Sequence, residues 1–294
     1  MKEEKTKILI ACHKPDSVYE DEVYTPIHVG RAISPHKEEM TNMIGDDTGD
    51  NISVENPRYC ELTAIYWGWK NLNDIDYFGL CHYRRYFKEK ITNENIQEIM
   101  TSFDFIVAKK VTFAQSIKAW LCGSLVSEDV YILYKVILAR CPEKKKQIDD
   151  FFKSNAIYPC NMFICKKEIF DRYAEWLFDI LFTVDKYLKP SSYSRLRREM
   201  GYLSEVLLTL YIKLNGYACR EVPLVSNINC SQTLFNVPIR QRLKTKLSYW
   251  INRVSTIEWD YALITGMKND GIFDELETLT IKDYKKNKSN DFNN

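Results

Sequence analysis

The chain has 294 residues, 45% of them hydrophobic, and a formal net charge of +1. That length suits one large domain or one domain with an appendage, with enough apolar material for a substantial core. The near-neutral balance argues against a nucleic-acid partner, and the chain holds no nucleic-acid motif, no GxxxxGKS/T phosphate loop and no GxGxxG run.

The opening MKEEKTK is charged without an apolar core, and no uninterrupted run is long enough to span a bilayer, so a cytoplasmic location is expected. Nine cysteines without CxxC spacing read as reduced packing residues, not as a disulfide framework or zinc site. Residues 7–12, KILIAC, form an apolar strand that HKP stops. As the first strand of an alternating α/β domain it delivers His13 and Lys14 to the carboxyl edge of a sheet, where ligands collect. His28 and His36 share no metal-ligand spacing with His13 or His82.

Residues 45–51 are nearly all turn formers, and the loop can offer backbone N–H groups, Asp46, Asp47, Asp50 and Asn51 to a ligand. A solvated turn is the alternative reading. A helix follows, capped by Ser53 or Asn56, with Pro57 in its first turn and Leu62, Ile65, Trp69 and Leu72 at helical spacing. Glu61, Tyr66 and Trp67 are left over, and a carboxylate beside large aromatics can line a sugar pocket; Glu61 and Trp69 are candidate substrate contacts.

Residues 77–81, YFGLC, read as a buried strand whose continuation turns abruptly polar at His82, Tyr83, Arg84 and Arg85. Adjacent strand arginines point to opposite faces, so one of the two is expected to enter a pocket. A guanidinium there can bind a diphosphate through paired charge-assisted hydrogen bonds, the alternative being structural salt bridges.

A helix over 93–101, a strand over 103–108 and a helix over 127–140 continue the alternation, and Lys144 to Lys146 read as a solvated face. Asn161 opens a strand of four apolar residues, where its amide can bond a sugar hydroxyl. The next helix, from 166 to about 187, carries Ile169, Tyr173, Trp176 and Ile180 on one core-facing side.

On a helix over 195–214 the stripe is Leu203, Leu207, Leu210 and Leu214, with Glu205 among apolar neighbours and Arg198 two turns earlier. A carboxylate held there can accept a hydroxyl proton or orient a sugar; a surface Arg198–Glu205 bridge is the alternative. Ile239, Leu243, Leu247, Ile251 and Val254 repeat at helical spacing among five cations, with Tyr249 and Trp250. This predicts either an interfacial helix on an anionic membrane or a basic helix packed on the domain.

The runs KILIACHKP, TGDNIS with YCELTAIYWGWKN, GLCHYRRYF, YPCNMFICKKEIFDRYAEWLF and RREMGYLSEVLLTLYI, in that order, resemble the bacterial domain-of-unknown-function family DUF4422. That family belongs to capsule and exopolysaccharide gene clusters and is regarded as glycosyltransferases. The resemblance runs from about Lys7 to Val225. It implies an α/β, GT-A-like (Rossmann-like) nucleotide-sugar transferase fold with a mainly parallel central sheet flanked by helices and a C-terminal helical extension. The domains expected are 1–230 for the GT-A-like part, 231–280 for a basic amphipathic helical extension and 281–294 for a polar, disordered tail.

What the resemblance further implies is a UDP-sugar donor, with galactose in furanose or pyranose form first, and a glycan or lipid-linked oligosaccharide acceptor. It raises Glu205, Arg84, Arg85 and His82 as catalytic candidates. His13, Lys14, Asp47, Asp50, Asn51, Glu61, Trp69, Tyr83, Asn161 and Arg198 are substrate-binding candidates. Enzymes of the GT-A type commonly hold manganese or magnesium on an Asp-x-Asp motif at a strand end, but His82-Tyr83-Arg84 stands there instead. Asp46, Asp47 and Asp50 are substitutes, and weak metal dependence is expected. A non-catalytic glycan-binding or nucleotide-binding component of a polysaccharide assembly complex is the alternative.

Overall fold

The apolar run at the start becomes β1 (Thr6–Cys12), the strand around which the sheet is built. The computed structural model describes residues 4–279, and the tail expected over 281–294 lies outside the described residues. Strand β1 is flanked in parallel by β2 (Tyr24–His28) and β4 (Tyr77–His82), and β3 (Ile44–Gly45) extends the edge beyond β2. β5 (Tyr86–Phe87) leaves the sheet, while β6 (Phe105–Ala108) joins it on the far side. β7 (Val111–Thr112) and β8 (Ala156–Ile157) pair with each other. β9 (Phe163–Lys166) lies between β4 and β6 and runs antiparallel to both. β10 (Cys219–Val222) completes the order β10-β6-β9-β4-β1-β2-β3, and β11 (Leu224–Val225) pairs with β5. The sheet is mainly parallel, as expected, with β9 its antiparallel member.

Parallel strands buried on both faces need continuous apolar sequence. Ile8, Leu9, Ile10, Phe78, Leu80 and Cys81 are fully buried. One face is covered by α2 (Leu62–Asn71), which follows the short α1 (Asn56–Tyr59), and by α7 (Lys167–Asp185). The Phe78 and Phe170 rings stack there with centroids 3.7 Å apart. On the other face Ile8, Ile10, Cys81, Ile106 and Ile164 form one cluster with Ile96, Ile99 and Met100 of α3 (Asn93–Ser102). Each such side chain contributes roughly 1.5–3 kcal/mol on burial. Gly79 is required at the centre, since a Cβ there would meet Ile164 at 2.8 Å and Ile8 at 3.0 Å.

Two compact units divide the chain. The first comprises 1–111, 157–177 and 197–241, and the second 112–156, 178–196 and the described residues from 242 onward. The second holds α4 (Ile117–Ser124), α5 (Ser127–Arg140) and α6 (Lys145–Lys153). After α8 (Glu199–Asn215) of the first unit come α9 (Ile239–Asn252), α10 (Tyr261–Asn269) and α11 (Ile272–Thr278). Tyr131 and Tyr134 of α5 contact Trp259 edge-on and tilted, at 5.0 and 5.5 Å, within the second unit.

The predicted helix near Asn56 differs in one respect. Asn56 does not cap it: its Nδ2 donates to the Cys60 carbonyl at 2.7 Å and to Thr63 Oγ1 at 3.2 Å. Cys60, at φ 52° and ψ −130°, breaks the run into α1 and α2. Within α2 Leu62 and Ile65 are buried as expected, but Trp67 is also buried and donates Nε1 to Thr48 Oγ1 at 2.9 Å, while Trp69 is only half-buried.

Candidate active site

Because β1 and β4 are parallel neighbours, their carboxyl ends deliver His13 and His82 to one edge of the sheet. A cavity of about 900 Å³ opens there, within the first unit. It is lined by His13, Glu61, His82, Tyr83, Arg84, Arg85, Arg198 and Glu205 among the residues expected from sequence. Cys60, Cys160, Tyr202, Leu234 and Phe235 also line it and were not expected there. Nothing in the local pattern of Leu234 and Phe235 marks them; they reach the cavity because the chain passes back over this edge after β11.

The polar end of β4 is a turn, not a continuing strand. His82 N–H donates to the Arg85 carbonyl at 3.1 Å and Arg85 N–H returns a bond to His82 at 2.9 Å. Tyr83 and Arg84 therefore form the tip of a tight reversal, and both arginines line the cavity instead of alternating between faces. Arg84 donates Nε to Asp16 at 2.8 Å, yet its side chain stays 62% exposed. Arg85 acts at longer range, its charge lowering the pKa of Glu205 and of Cys160.

His82 Nε2 lies 2.8 Å from the Cys160 carbonyl, which can only accept, so Nε2 carries the proton. That carbonyl is presented by two successive non-glycine residues in the left-handed region, Cys160 at φ 70° and Asn161 at φ 50°. Such a conformation costs of order 1–3 kcal/mol and persists where surrounding bonds enforce it. Desolvation, then the charges of Lys14, Arg198 and Arg84, hold the His13 imidazole below its ordinary pKa. It is therefore neutral at pH 7 and meets the Tyr83 ring edge-on at 5.3 Å.

Two carboxylates complete the cavity. Glu205, on α8, is pushed up to about 7, first by burial and next by the negative charge of Glu61. Arg85, the Cys160 N–H and Arg198 pull in the opposite direction. Arg198 donates Nε to Cys60 Sγ at 3.2 Å, and Glu205 accepts from Cys160, so each is engaged apart from the other. Gly201 permits this approach of α8 to the Cys60 turn, because a Cβ would lie 3.0 Å from Cys60 Sγ.

Asn161 is fully buried and outside the cavity lining. Its Nδ2 donates to Glu61 Oε1 and to Ser204 Oγ, both at 2.9 Å, so it reaches the site through Glu61. Lys14, Asp47, Asp50, Asn51 and Trp69 are likewise outside the lining. Asp47 pairs with Arg31 at 3.0 Å, and Asp50 accepts from the Tyr66 hydroxyl at 3.1 Å. Asn51 bonds its own loop, to Gly49 and from Ser53. Trp69 lies beside Tyr66 and under the Lys70 ammonium, 3.6 Å from the ring centroid.

The aspartate set does not fit a divalent cation. Buried Asp46 accepts from the N–H groups of Gly30 and Arg31 at 2.8 and 3.0 Å and from the Ser53 hydroxyl at 2.5 Å. Asp47 and Asp50 each give one carboxylate oxygen to another partner, Arg31 and the Tyr66 hydroxyl. Among the described residues no group of three or more His, Cys, Asp or Glu is arranged to hold a metal ion.

Residues 7–216 match the model of the family described as domain of unknown function DUF4422. The chain belongs to the DUF4422 family. The match contains the cavity residues from Ala11 to Glu205, with Leu234 and Phe235 beyond it. Among solved structures the chain resembles the apo WbbM bifunctional glycosyltransferase, at 30% identity and a TM-score of 0.63 over 80% of this chain and 47% of that one. It thus spans about half the length of that protein, and this family member has the GT-A-like α/β fold that its sequence implied. Core-mannan synthase A from Aspergillus fumigatus, in an Mn/GDP form, aligns at 9% identity and a TM-score of 0.36 over 85% of each chain. The mannosyltransferase Ktr4p from S. cerevisiae, in complex with GDP, aligns at 9% and 0.38 over 86% of this chain and 82% of that one. No curated protein matches the sequence.

Proposed function

We propose that this chain is a glycosyltransferase that moves a hexose, galactose in furanose or pyranose form, from a UDP-sugar to a growing capsular or exopolysaccharide acceptor carried on a lipid at the inner face of the cell membrane. One observation carries the reading: two arginines from the β4 turn and two carboxylates from α8 and the start of α2 line one cavity at the carboxyl edge of a parallel sheet. The likeness to a protein named as a bifunctional glycosyltransferase supports the reaction class. The UDP donor and galactose rest on the family resemblance.

Transfer from a nucleoside diphosphate sugar breaks the bond from the anomeric carbon to the diphosphate oxygen and forms one to an acceptor oxygen. The departing diphosphate gains negative charge, and preorganised cations at that oxygen lower the barrier. Arg84 and Arg85 take that role, with neutral His13 as a further partner for the phosphates. Glu205, pushed up to about 7, titrates near working pH, where a general base is most effective. Ionised, it receives the acceptor hydroxyl proton or orients the sugar, while Glu61 keeps its proton affinity high. Asp46, Asp47 and Asp50 already have partners, so a weak dependence on divalent metal is expected.

A thermal-shift panel of nucleotides and nucleotide sugars, each with EDTA and with manganese, tests the reading. A ligand that binds the native state stabilises it by about 2.7 kcal/mol at a hundred times its Kd. UDP or a UDP-sugar is expected to raise Tm, with the shift persisting in EDTA. Failure of every nucleotide to shift Tm, with glycan binding intact, would turn the reading to a glycan-binding component.

A further inference from the structure

Helix α9 is oriented opposite to an ordinary amphipathic surface helix. Its apolar residues Ile239, Leu243, Leu247, Trp250 and Ile251 are between 58% and 75% exposed. The half-buried positions are Thr245, Ser248 and Tyr249, uncharged and polar. The Tyr249 hydroxyl donates to the Lys153 carbonyl at 2.8 Å within the second unit. The helix is thus held through its polar side and turns its hydrophobic stripe to solvent.

The charges follow the same geometry. At ~100° per residue, Arg240 and Lys244 fall along one margin of the stripe and Arg242 and Lys246 along the other, and Arg253 follows directly after the helix ends at Asn252. All five are exposed, and no Asp or Glu occurs between Ile239 and Val254. An apolar stripe bordered on both sides by long cationic side chains matches the interface of an anionic bilayer. The stripe enters the acyl boundary, and the cations extend back to lipid phosphates. An aqueous polyanion would use the cations and leave the stripe unsatisfied. No helix among the described residues is long and apolar enough to cross a membrane.

We propose that α9 docks this protein on an anionic lipid surface, lying in the headgroup plane with Leu243, Leu247 and Ile251 inserted. This goes beyond the transferase reading and stands without it, because vesicle binding requires neither donor nor acceptor.

The test is flotation of the full chain with phosphatidylcholine vesicles and with vesicles in which about a third of the lipid is phosphatidylglycerol. Binding is expected with the anionic vesicles only, weakened by salt as surface charges are screened. Leu243→Gln with Leu247→Gln is expected to reduce it at least tenfold. Lys244→Ala with Lys246→Ala should weaken it roughly thirtyfold, about fivefold per cation. These positions are exposed, and circular dichroism checks that the fold is unchanged. No flotation with anionic vesicles would overturn the proposal. So would unchanged binding by the Leu243/Leu247 variant, which marks a simple polyanion patch. A dimer that this variant renders monomeric, without vesicle binding, would assign the stripe to a second copy of the chain.

Discussion

The Asn161 amide nitrogen lies 2.9 Å from Glu61 Oε1, in a fully buried position one residue beyond the carbonyl that holds His82. A residue expected to touch sugar instead fixes a carboxylate that does line the cavity. Asn161→Leu removes the donor from Glu61 and from Ser204 and should destabilise the fold by about 1–3 kcal/mol. Asn161→Asp keeps the shape but sets a second carboxylate against Glu61. Its activity should fall at least tenfold, with the acid limb of the pH profile moved upward. An unmoved profile in Asn161→Asp would remove Asn161 from the positioning of this pair.

Glu205 links activity and stability through one proton. Its folded pKa, about 7, lies above the ordinary value of 4.5. The folded state therefore holds the proton more tightly than the unfolded chain. The contribution is full below pH 4.5 and lost as pH rises through 7. Ionising Glu205 in place costs on the order of 3 kcal/mol at pH 8. Glu205→Gln should thus unfold at a higher temperature than the parent at pH 8 and show little difference at pH 4. Its turnover should drop at least a hundredfold, while parent activity rises between pH 6 and 8. Thermal unfolding at the two pH values separates the stability effect from catalysis.

The two arginines should differ in their signatures. Removing one charged contact to a leaving diphosphate costs about 2–4 kcal/mol at the transition state, roughly 30- to 1000-fold in kcat. Arg85 also lowers the pKa of Glu205, so Arg85→Ala should shift the acid limb to higher pH as well as reduce kcat. Arg84→Ala should reduce kcat and nucleotide affinity with the limb unmoved, since its guanidinium pairs with Asp16. Rate profiles of the two variants across pH decide the assignment, and full turnover in both would refute it.

Gly201 and Cys60 should be coupled. A Cβ on Gly201 would come within 3.0 Å of Cys60 Sγ and 3.2 Å of its Cβ. Gly201→Ala must push the Cys60 turn aside, at a cost of about 1–3 kcal/mol. Cys60→Gly removes that contact and relieves the positive φ of 52°. In the double variant denaturant titration should recover most of the lost stability, whereas simple additivity of the two changes would show that they do not meet.

Asp46 is a test of the metal reading. It accepts from Gly30, Arg31 and Ser53, all within its own fold neighbourhood. Asp46→Ala should lower stability by about 2–3 kcal/mol, the range for hydrogen bonds to a charged group with a buried partner left unmade. Nucleotide shifts measured with manganese and with EDTA should remain equal to each other in the variant. A manganese-dependent shift in the parent that disappears in Asp46→Ala would assign the carboxylate to a cation after all.

Much of the sheet was legible because its strands are short-range signals. KILIAC and YFGLC are apolar on both sides, which only a buried parallel strand or a core helix accommodates, and Gly and Pro punctuation decides between them. The polar residues that follow each run mark the edge where His13, His82, Arg84 and Arg85 gather, and that edge could be named without coordinates. The tertiary structure decided what those signals leave free. Whether His82 to Arg85 continues as a strand or reverses depends on hydrogen bonds within the turn, and the reversal is what brings both arginines to the cavity. Glu61, Asn161 and Glu205 are up to 144 residues apart, as their numbers show. Their meeting depends on antiparallel β9 entering a parallel sheet and on Gly201 letting α8 approach Cys60. The stripe of α9 was equally visible as periodicity, which cannot distinguish inward from outward. Tyr249, bonded to Lys153, sets that direction.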